Sequence, residues 1–181
     1  MNLWLRLLGV FIAALFRPRL GWLGESRLRF RVMPHDLDIN IHMNNARYMA
    51  LMDLGRLDLI LRSGLWRPLL RQRWQAVLGA AVVRFRRPLR PFQALALTSR
   101  VLGWDEKWLY IEHRIEAGGT LACQAVVRAA FVAPHGLVPP ARLAALLGHS
   151  APSPELPPWV ASWPAMDRPQ DQQPPQMAAG E

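Results

Sequence analysis

The stretch His35-Asp36-Leu37-Asp38-Ile39-Asn40-Ile41-His42-Met43-Asn44-Asn45-Ala46-Arg47-Tyr48 decides how this 181-residue chain is read. It sets carboxylates, imidazoles, two adjacent amides and a tyrosine into one turn and the start of a helix. Polar groups this dense between apolar segments are costly to bury unless they are paired or used. The helix start supplies a use. Asn44 or Asn45 can cap the first turn through a side-chain oxygen. The N–H groups left unsatisfied there favour an anion, or a developing oxyanion, in front of them. Asp38 lies a few residues upstream and can present a carboxylate to the same spot. A base or nucleophile beside a preformed oxyanion site is the minimum equipment for acyl transfer.

Upstream of the motif, Leu28, Phe30 and Val32 alternate with Arg27, Arg29 and Arg31, which predicts a half-exposed strand over Ser26 to Met33. Downstream, Tyr48, Met49, Leu51, Met52, Leu54, Leu57, Leu59 and Ile60 cover most of a helix running from Asn45 to about Arg62. A helix apolar nearly all round is buried. Gly55 allows a sheet backbone to approach, at a propensity cost of ~1 kcal/mol. Asp58 and Arg62 stand at i,i+4 and read most simply as a surface pair. Gly64 is a stop. Gln75 to Arg86, Ala94 to Trp104, Lys107 to Glu116 and Thr120 to Ala133 read as strands, separated by Arg-Pro, Asp-Glu and Gly-Gly punctuation. The last two pairs suit tight hairpins. The pattern is α+β: an initial strand, one long buried helix, then a four-strand meander. Pro139 to Leu147 predicts a short helix. Beyond Gly148 the recurring prolines and polar end predict a surface-hugging, then disordered, tail, with Trp159 and Trp163 docking on the domain or touching lipid.

At the amino terminus Trp4, Leu7, Leu8, Phe11, Ile12 and Leu15 recur at helical spacing. Arg6 breaks the run, and Arg17, Pro18 and Arg19 end it. The segment falls short of the ~20 apolar residues a membrane span needs, and Leu15-Phe16-Arg17-Pro18 is a poor signal-peptide cleavage site. Two readings stand: a helix lying in a membrane interface with arginines at headgroup level, or a helix packed on the domain or a dimer partner. The net charge of +9 is almost all arginine, Lys107 being the only lysine. That balance suits an anionic partner such as lipid or CoA phosphates. Nucleic acid is not expected, since no helix-turn-helix, zinc-finger or RNP pattern is present. Cys123 is the only cysteine, which forbids an internal disulfide and fits a reducing, cytoplasmic compartment. Its strand-like surroundings read as those of a buried structural thiol. The five histidines lack metal-ligand spacing and no Gly-x-Ser-x-Gly elbow occurs, so neither a metal centre nor an α/β-hydrolase is expected.

The run Leu37 to Tyr48 resembles the signature of hotdog-fold acyl-CoA thioesterases of the 4-hydroxybenzoyl-CoA thioesterase type: Asp, three residues, His, one residue, Asn-Asn, then Tyr. Val83-Arg84-Phe85-Arg86-Arg87-Pro88-Leu89-Arg90-Pro91-Phe92 is similar to that family's strand ending in Arg-Pro. Val101 to Tyr110 is similar to a hairpin of its THEM6-like branch, whose members are membrane-associated. The resemblance covers about residues 25 to 138. It implies a hotdog domain there, a curved antiparallel sheet wrapped around one long central helix, with residues 1 to 19 as an apolar amino-terminal helix and 139 to 181 as a short helix and Pro-rich tail. It implies hydrolysis of an acyl-CoA thioester to free acid and CoA, without a cofactor, at a homodimer interface; the apolar helix of residues 1 to 19, outside the resemblance, is expected to hold the enzyme at a membrane surface.

For the residues, the resemblance implies Asp38 as general base or nucleophile; the alternative is a carboxylate that only caps its loop. His42 orients substrate or water, or holds the loop. Asn44 and Asn45 shape the helix start and aim its N–H groups. Asp36 and His35 are reserves for Asp38, Asp36 facing away if Asp38 faces in. Tyr48 lines the substrate as a core side chain. Arg87 and Arg90 are candidates for the CoA phosphates, and Arg84 and Arg86 for solubilising charges. A non-catalytic acyl-CoA or lipid-binding adaptor keeps the same fold without needing the Asp38 carboxylate. Hydration of an enoyl thioester is the weaker third reading.

Overall fold

The computed structural model describes residues 2–163; the polar tail expected beyond them lies outside the described residues. In chain order the elements are α1 (Asn2–Phe16), β1 (Ser26–Arg31), α2 (Asn45–Ser63), α3 (Trp66–Gln72), β2 (Gln75–Phe85), β3 (Ala94–Trp104), β4 (Leu109–Ala117), β5 (Thr120–Ala133), β6 (Gly136–Val138), α4 (Pro140–Leu146) and α5 (Pro158–Ala161). One antiparallel sheet runs β1-β3-β4-β5-β2, with β6 added to the end of β5. The curled sheet wraps α2, which is the hotdog arrangement implied by the motif run.

Packing explains the wrap. Tyr48, Leu51, Met52, Leu54 and Leu59 of α2 are buried against the sheet and its flanks. A Cβ on Gly55 would stand 2.2 Å from the Ser99 hydroxyl oxygen of β3, so only a glycine lets helix and sheet meet there. The helix ends on Gly64 at φ 83°, as expected. The β4–β5 hairpin turns on Gly118 and Gly119, both at positive φ. The β3–β4 turn is held by Asp105, whose carboxylate accepts the Lys107 and Trp108 N–H groups and the Tyr110 hydroxyl.

Two expectations are corrected. The four later strands do not form one meander. β3, β4 and β5 do, but β2 pairs with β5 at the far edge because β1 already occupies the near edge on β3. Asp58 and Arg62 are not a surface pair, for they are 0% and 8% exposed. The connection into β1 closes over them. Ser26 donates its hydroxyl to Asp58 at 2.6 Å, Arg62 follows at 3.2 Å, and Arg17 stands 3.6 Å away. Arg62 also donates to the Pro18 carbonyl. The short helix α3 and strand β6 were not anticipated.

The amino-terminal helix packs on the domain with one face and leaves the other open. Leu3, Leu7 and Val10 meet the core, so Leu7 leaves the outward stripe. Trp4, Leu5, Leu8, Phe11, Ile12, Leu15 and Phe16 are exposed. No helix among the described residues is long and apolar enough to cross a membrane. At the other end, Trp163 is buried beside Tyr110 on the outer face of the sheet, with Arg128 lying between its ring and that of Trp108.

Beneath the middle of α2, Ser99 and His113 are fully buried. Arg56 can only donate, so it gives an N–H to His113 Nε2 (3.2 Å), and His113 Nδ1–H then donates to Ser99 Oγ (2.8 Å). Burial, reinforced by the Arg56 charge, pushes the His113 imidazole down to about 3. The unfolded chain therefore takes up a proton below about pH 6.5 that the native state refuses, so stability falls as pH drops from there towards 3. Between pH 6.5 and 5 the expected loss is about 2 kcal/mol, read from urea midpoints, with a shallower loss in His113→Gln. Asp58→Ala strands the Arg62 charge and is expected to cost about 3–5 kcal/mol in the same assay.

Candidate active site

The motif loop is built on a clamp. After a 3-10 turn over Pro34–Asp36, the Asp36 carboxylate is buried, 1% exposed. It accepts the Met33 N–H at 2.9 Å and both Arg6 amino groups at 2.6 and 3.1 Å, with Arg47 3.9 Å away. Burial works against the charged carboxylate, but the Arg6 hydrogen bonds and charge and the Met33 N–H outweigh it and hold its pKa below the ordinary value. Arg6 also donates to the Arg31 carbonyl at the end of β1. Asp36 is thus committed to structure.

Asp38 takes a different position, half-buried at the base of a tight loop. Leu37 and Met43 bridge, Asp38 N–H donates to the His42 carbonyl, and Ile41 N–H donates back to the Asp38 carbonyl. One carboxylate oxygen accepts the Asn40 N–H at 2.9 Å, and among the described residues the second oxygen meets no donor. Ile41 sits at φ 58°. A β-branched residue is strained there by ~1–2 kcal/mol. Ile39 and Ile41 project outward, 97% and 65% exposed.

The helix start follows directly. Asn44 is the cap: its side-chain oxygen accepts the Ala46 N–H at 2.8 Å, and its own N–H donates to the Asp36 carbonyl. Asn45 is the first helical residue. Among the described residues its N–H meets no acceptor, so it is open to an oxygen from outside. Tyr48, one turn on, is buried edge-on against Phe85 of β2 at 5.2 Å. Burial raises its pKa, the Leu89 backbone opposes this, and the nearby Cys123 and Asp38 add to the rise. Tyr48 is a neutral wall beneath the loop. The His42 side chain is half-buried with no partner among the described residues.

Leu89 ties in the arginines. Its carbonyl accepts the Met43 N–H at 2.9 Å. The same residue, with Arg87, Arg90, Gln93, Thr120 and Ala122, lines an open polar depression of about 460 Å3. Arg87 and Arg90 are therefore one residue-width from the motif loop. Arg84 instead lies over the Trp159 ring at 6.0 Å. Cys123 is buried and its thiol is pushed up to about 12 by burial, which suits a structural role.

The family description "Thioesterase-like superfamily" matches residues 32–163. The chain belongs to that superfamily. Among curated relatives it is 38% identical to Protein THEM6 of Xenopus laevis over 86 residues, 48% of this chain and 42% of that protein. It is 34% identical to Protein THEM6 of Danio rerio over 116 residues, 62% and 57%, and 34% identical to Thioesterase poxG of Penicillium oxalicum over 107 residues, 51% and 35%. The chain spans about half the length of the THEM6 relatives it matches. Among solved structures it resembles the probable thioesterase YbaW of Escherichia coli (TM-score 0.63, 18% identity, 68% of this chain and 96% of that one). It also resembles a 1,4-dihydroxy-2-naphthoyl-CoA thioesterase from Synechocystis (0.60, 12%, 68% and 95%). These likenesses carry the fold.

The sequence reading missed the Arg6–Asp36 clamp and the Asp53, Arg56 and His113 cluster behind the helix. The one signal for the clamp was a lone arginine inside an apolar helix, which needs a buried anion. Arg6→Ala is expected to leave Asp36 buried and unpaired. It should lower stability by about 3 kcal/mol in urea unfolding and speed amide exchange over residues 35–45.

Proposed function

We propose that this chain is an acyl-CoA thioesterase working as a homodimer. The observation that carries the reading is the loop–helix junction, which offers an open carboxylate oxygen of Asp38 and an open N–H at Asn45 from one rigid turn. In the hydrolytic route Asp38 takes a proton from water as the oxygen attacks the thioester carbonyl. The carbonyl electrons move onto oxygen, which the Asn45 N–H and the helix start stabilise. Collapse breaks the C–S bond, and the CoA thiolate leaves with the proton. If Asp38 attacks directly, an acyl–carboxylate anhydride forms, the thiolate leaves, and water then cleaves the anhydride. His42 orients the acyl oxygen or the water. Arg87 and Arg90 receive CoA phosphates, in keeping with their place beside Leu89.

The homodimer reading rests on β2. Its outer edge is unpaired among the described residues, and its residues from Gln75 to Val83 carry no charge. Free edges are ordinarily blunted by charge or covered. The membrane reading rests on α1. Its outward face is apolar, and Arg27 and Arg29 of β1 line the groove beside the helix. A cytoplasmic, peripheral enzyme would lie on an anionic leaflet by that face.

Thiol release from an acyl-CoA panel, short to long and aromatic, tests the chemistry. Wild type is expected to turn over one class, and Asp38→Asn to bind it with kcat lowered about 10²–10⁴-fold. Binding of the panel by both proteins with turnover by neither favours the non-catalytic adaptor. Because Arg6 clamps the loop, the membrane contact is better tested by substitution than by removing the helix. Phe11→Glu with Leu15→Glu is expected to abolish co-sedimentation with anionic vesicles and to leave the melting temperature within a few degrees.

A further inference from the structure

Behind the site, between the carboxyl-terminal half of α2 and the sheet, lies a cavity of about 170 Å3. Leu59, Ile60, Val101, Ile111, Ala129 and Phe131 make it apolar, and Ala76, Val77 and Leu78 of β2 form its rim. Asp53 and Arg56 enter it from α2. None of these residues belongs to the junction at Asp38, about three turns away along the helix.

We propose that this cavity takes the distal end of the acyl group from the partner's active site, and that Arg56 selects short acyl groups bearing a neutral oxygen there. The proposal deepens the thioesterase and homodimer readings above and rests on them. Symmetry gives the juxtaposition. A two-fold axis through the free edge of β2 pairs two copies of the strand antiparallel. The start of β2, at the cavity rim, then meets the end of β2 in the other copy. That end carries Phe85, which packs on Tyr48, and Tyr48 feels the charge of Asp38. Each cavity therefore opens towards the partner's Asp38.

Size and polarity give the ligand. An apolar cavity of about 150 Å3 accepts benzene, so this one holds about six carbons. Arg56 has five N–H donors, and among the described residues two contacts engage them, Asp53 and His113 Nε2. Its side chain is 14% exposed, held between helix and sheet with donors left for a ligand. The exposed Asp53 carboxylate already balances its charge. A neutral hydroxyl or keto oxygen fits beside that pair, whereas a second carboxylate meets repulsion from Asp53.

The experiment compares hexanoyl-CoA, 6-hydroxyhexanoyl-CoA and adipoyl-CoA with the full chain and with Arg56→Met, Arg56→Lys and Ile60→Trp. Wild type is expected to prefer the hydroxylated substrate about tenfold or more in kcat/KM over both others. Arg56→Met should bring the ratio of hydroxylated to plain substrate to about one, chiefly through KM, and Arg56→Lys should restore part of it. Ile60→Trp fills the cavity and should raise KM for all three, which keeps the proposal testable if Arg56→Met fails to fold. An unchanged ratio in Arg56→Met, an unchanged KM in Ile60→Trp, or a wild-type preference for adipoyl-CoA overturns it. Absence of turnover with these and with every longer and aromatic acyl-CoA instead removes the thioesterase reading itself.

Discussion

The buried ion pair between Arg6 and Asp36 fastens α1 to three neighbouring pieces of the chain 25 or more residues further on. Arg6 brings α1 onto the domain and reaches the end of β1 through the Arg31 carbonyl. The Asp36 side chain closes its own 3-10 turn on Met33, and its backbone carbonyl receives the N–H of the α2 cap, Asn44. Two charges taken from water in this way gain little on balance over an apolar pair, but leaving either alone is expensive. The clamp therefore acts less as a source of stability than as a determinant of register. It fixes where the loop leaves β1 and where α2 begins, and Asp38 and Asn45 inherit their positions from those two ends.

Strain in the loop is intelligible against that anchoring. Ile41 adopts a backbone conformation that glycine or asparagine would take more easily. No glycine marks the position in the sequence, so the local turn was not derivable from it. The bridge between Leu37 and Met43 and the Leu89 carbonyl beneath it hold both ends of the turn, and the strained residue is carried at the tip. Its exposed side chain and that of Ile39 form an apolar crest beside the carboxylate. A subunit or substrate arriving at the site would cover that crest.

Much of the fold was legible because it follows from periodicity. The alternation in β1, the all-round apolar surface of α2, the Gly64 stop and the Gly118-Gly119 hairpin are local signals, and the elements form where those signals lie. Strand order was not legible. β2 carries a strand pattern that is equally satisfied beside β3 or beside β5, and only closure of the sheet around α2 decides between them. The Asp58–Arg62 pair was misread for a related reason: spacing of four shows that two side chains are neighbours on a helix, but not what later covers them. At the site, the motif located Asp38, Asn44 and Asn45 on one junction, and the Arg-Pro run after β2 located Arg87 and Arg90. The cluster of Asp53, Arg56 and His113 joins a helix face to a strand 57 residues away, and no local pattern carries such a pairing.

Net charge shows the same gap between composition and structure. A formal +9 suggests a broadly basic surface. Yet several arginines are already engaged: Arg6 on Asp36, Arg62 and Arg17 on Asp58, Arg56 on Asp53, Arg100 on Glu112, and Arg128 between two tryptophan rings. Paired with a carboxylate, such a group contributes little to the field outside. Part of the positive charge that remains falls in two places. One part stands at Arg87 and Arg90 beside the motif loop, and another at Arg27 and Arg29 along β1 next to the apolar face of α1. Screening confines exposed charges to about 8 Å at physiological salt. Each pair therefore acts mainly on what lies within that distance, one beside the motif loop and the other beside the apolar face of α1.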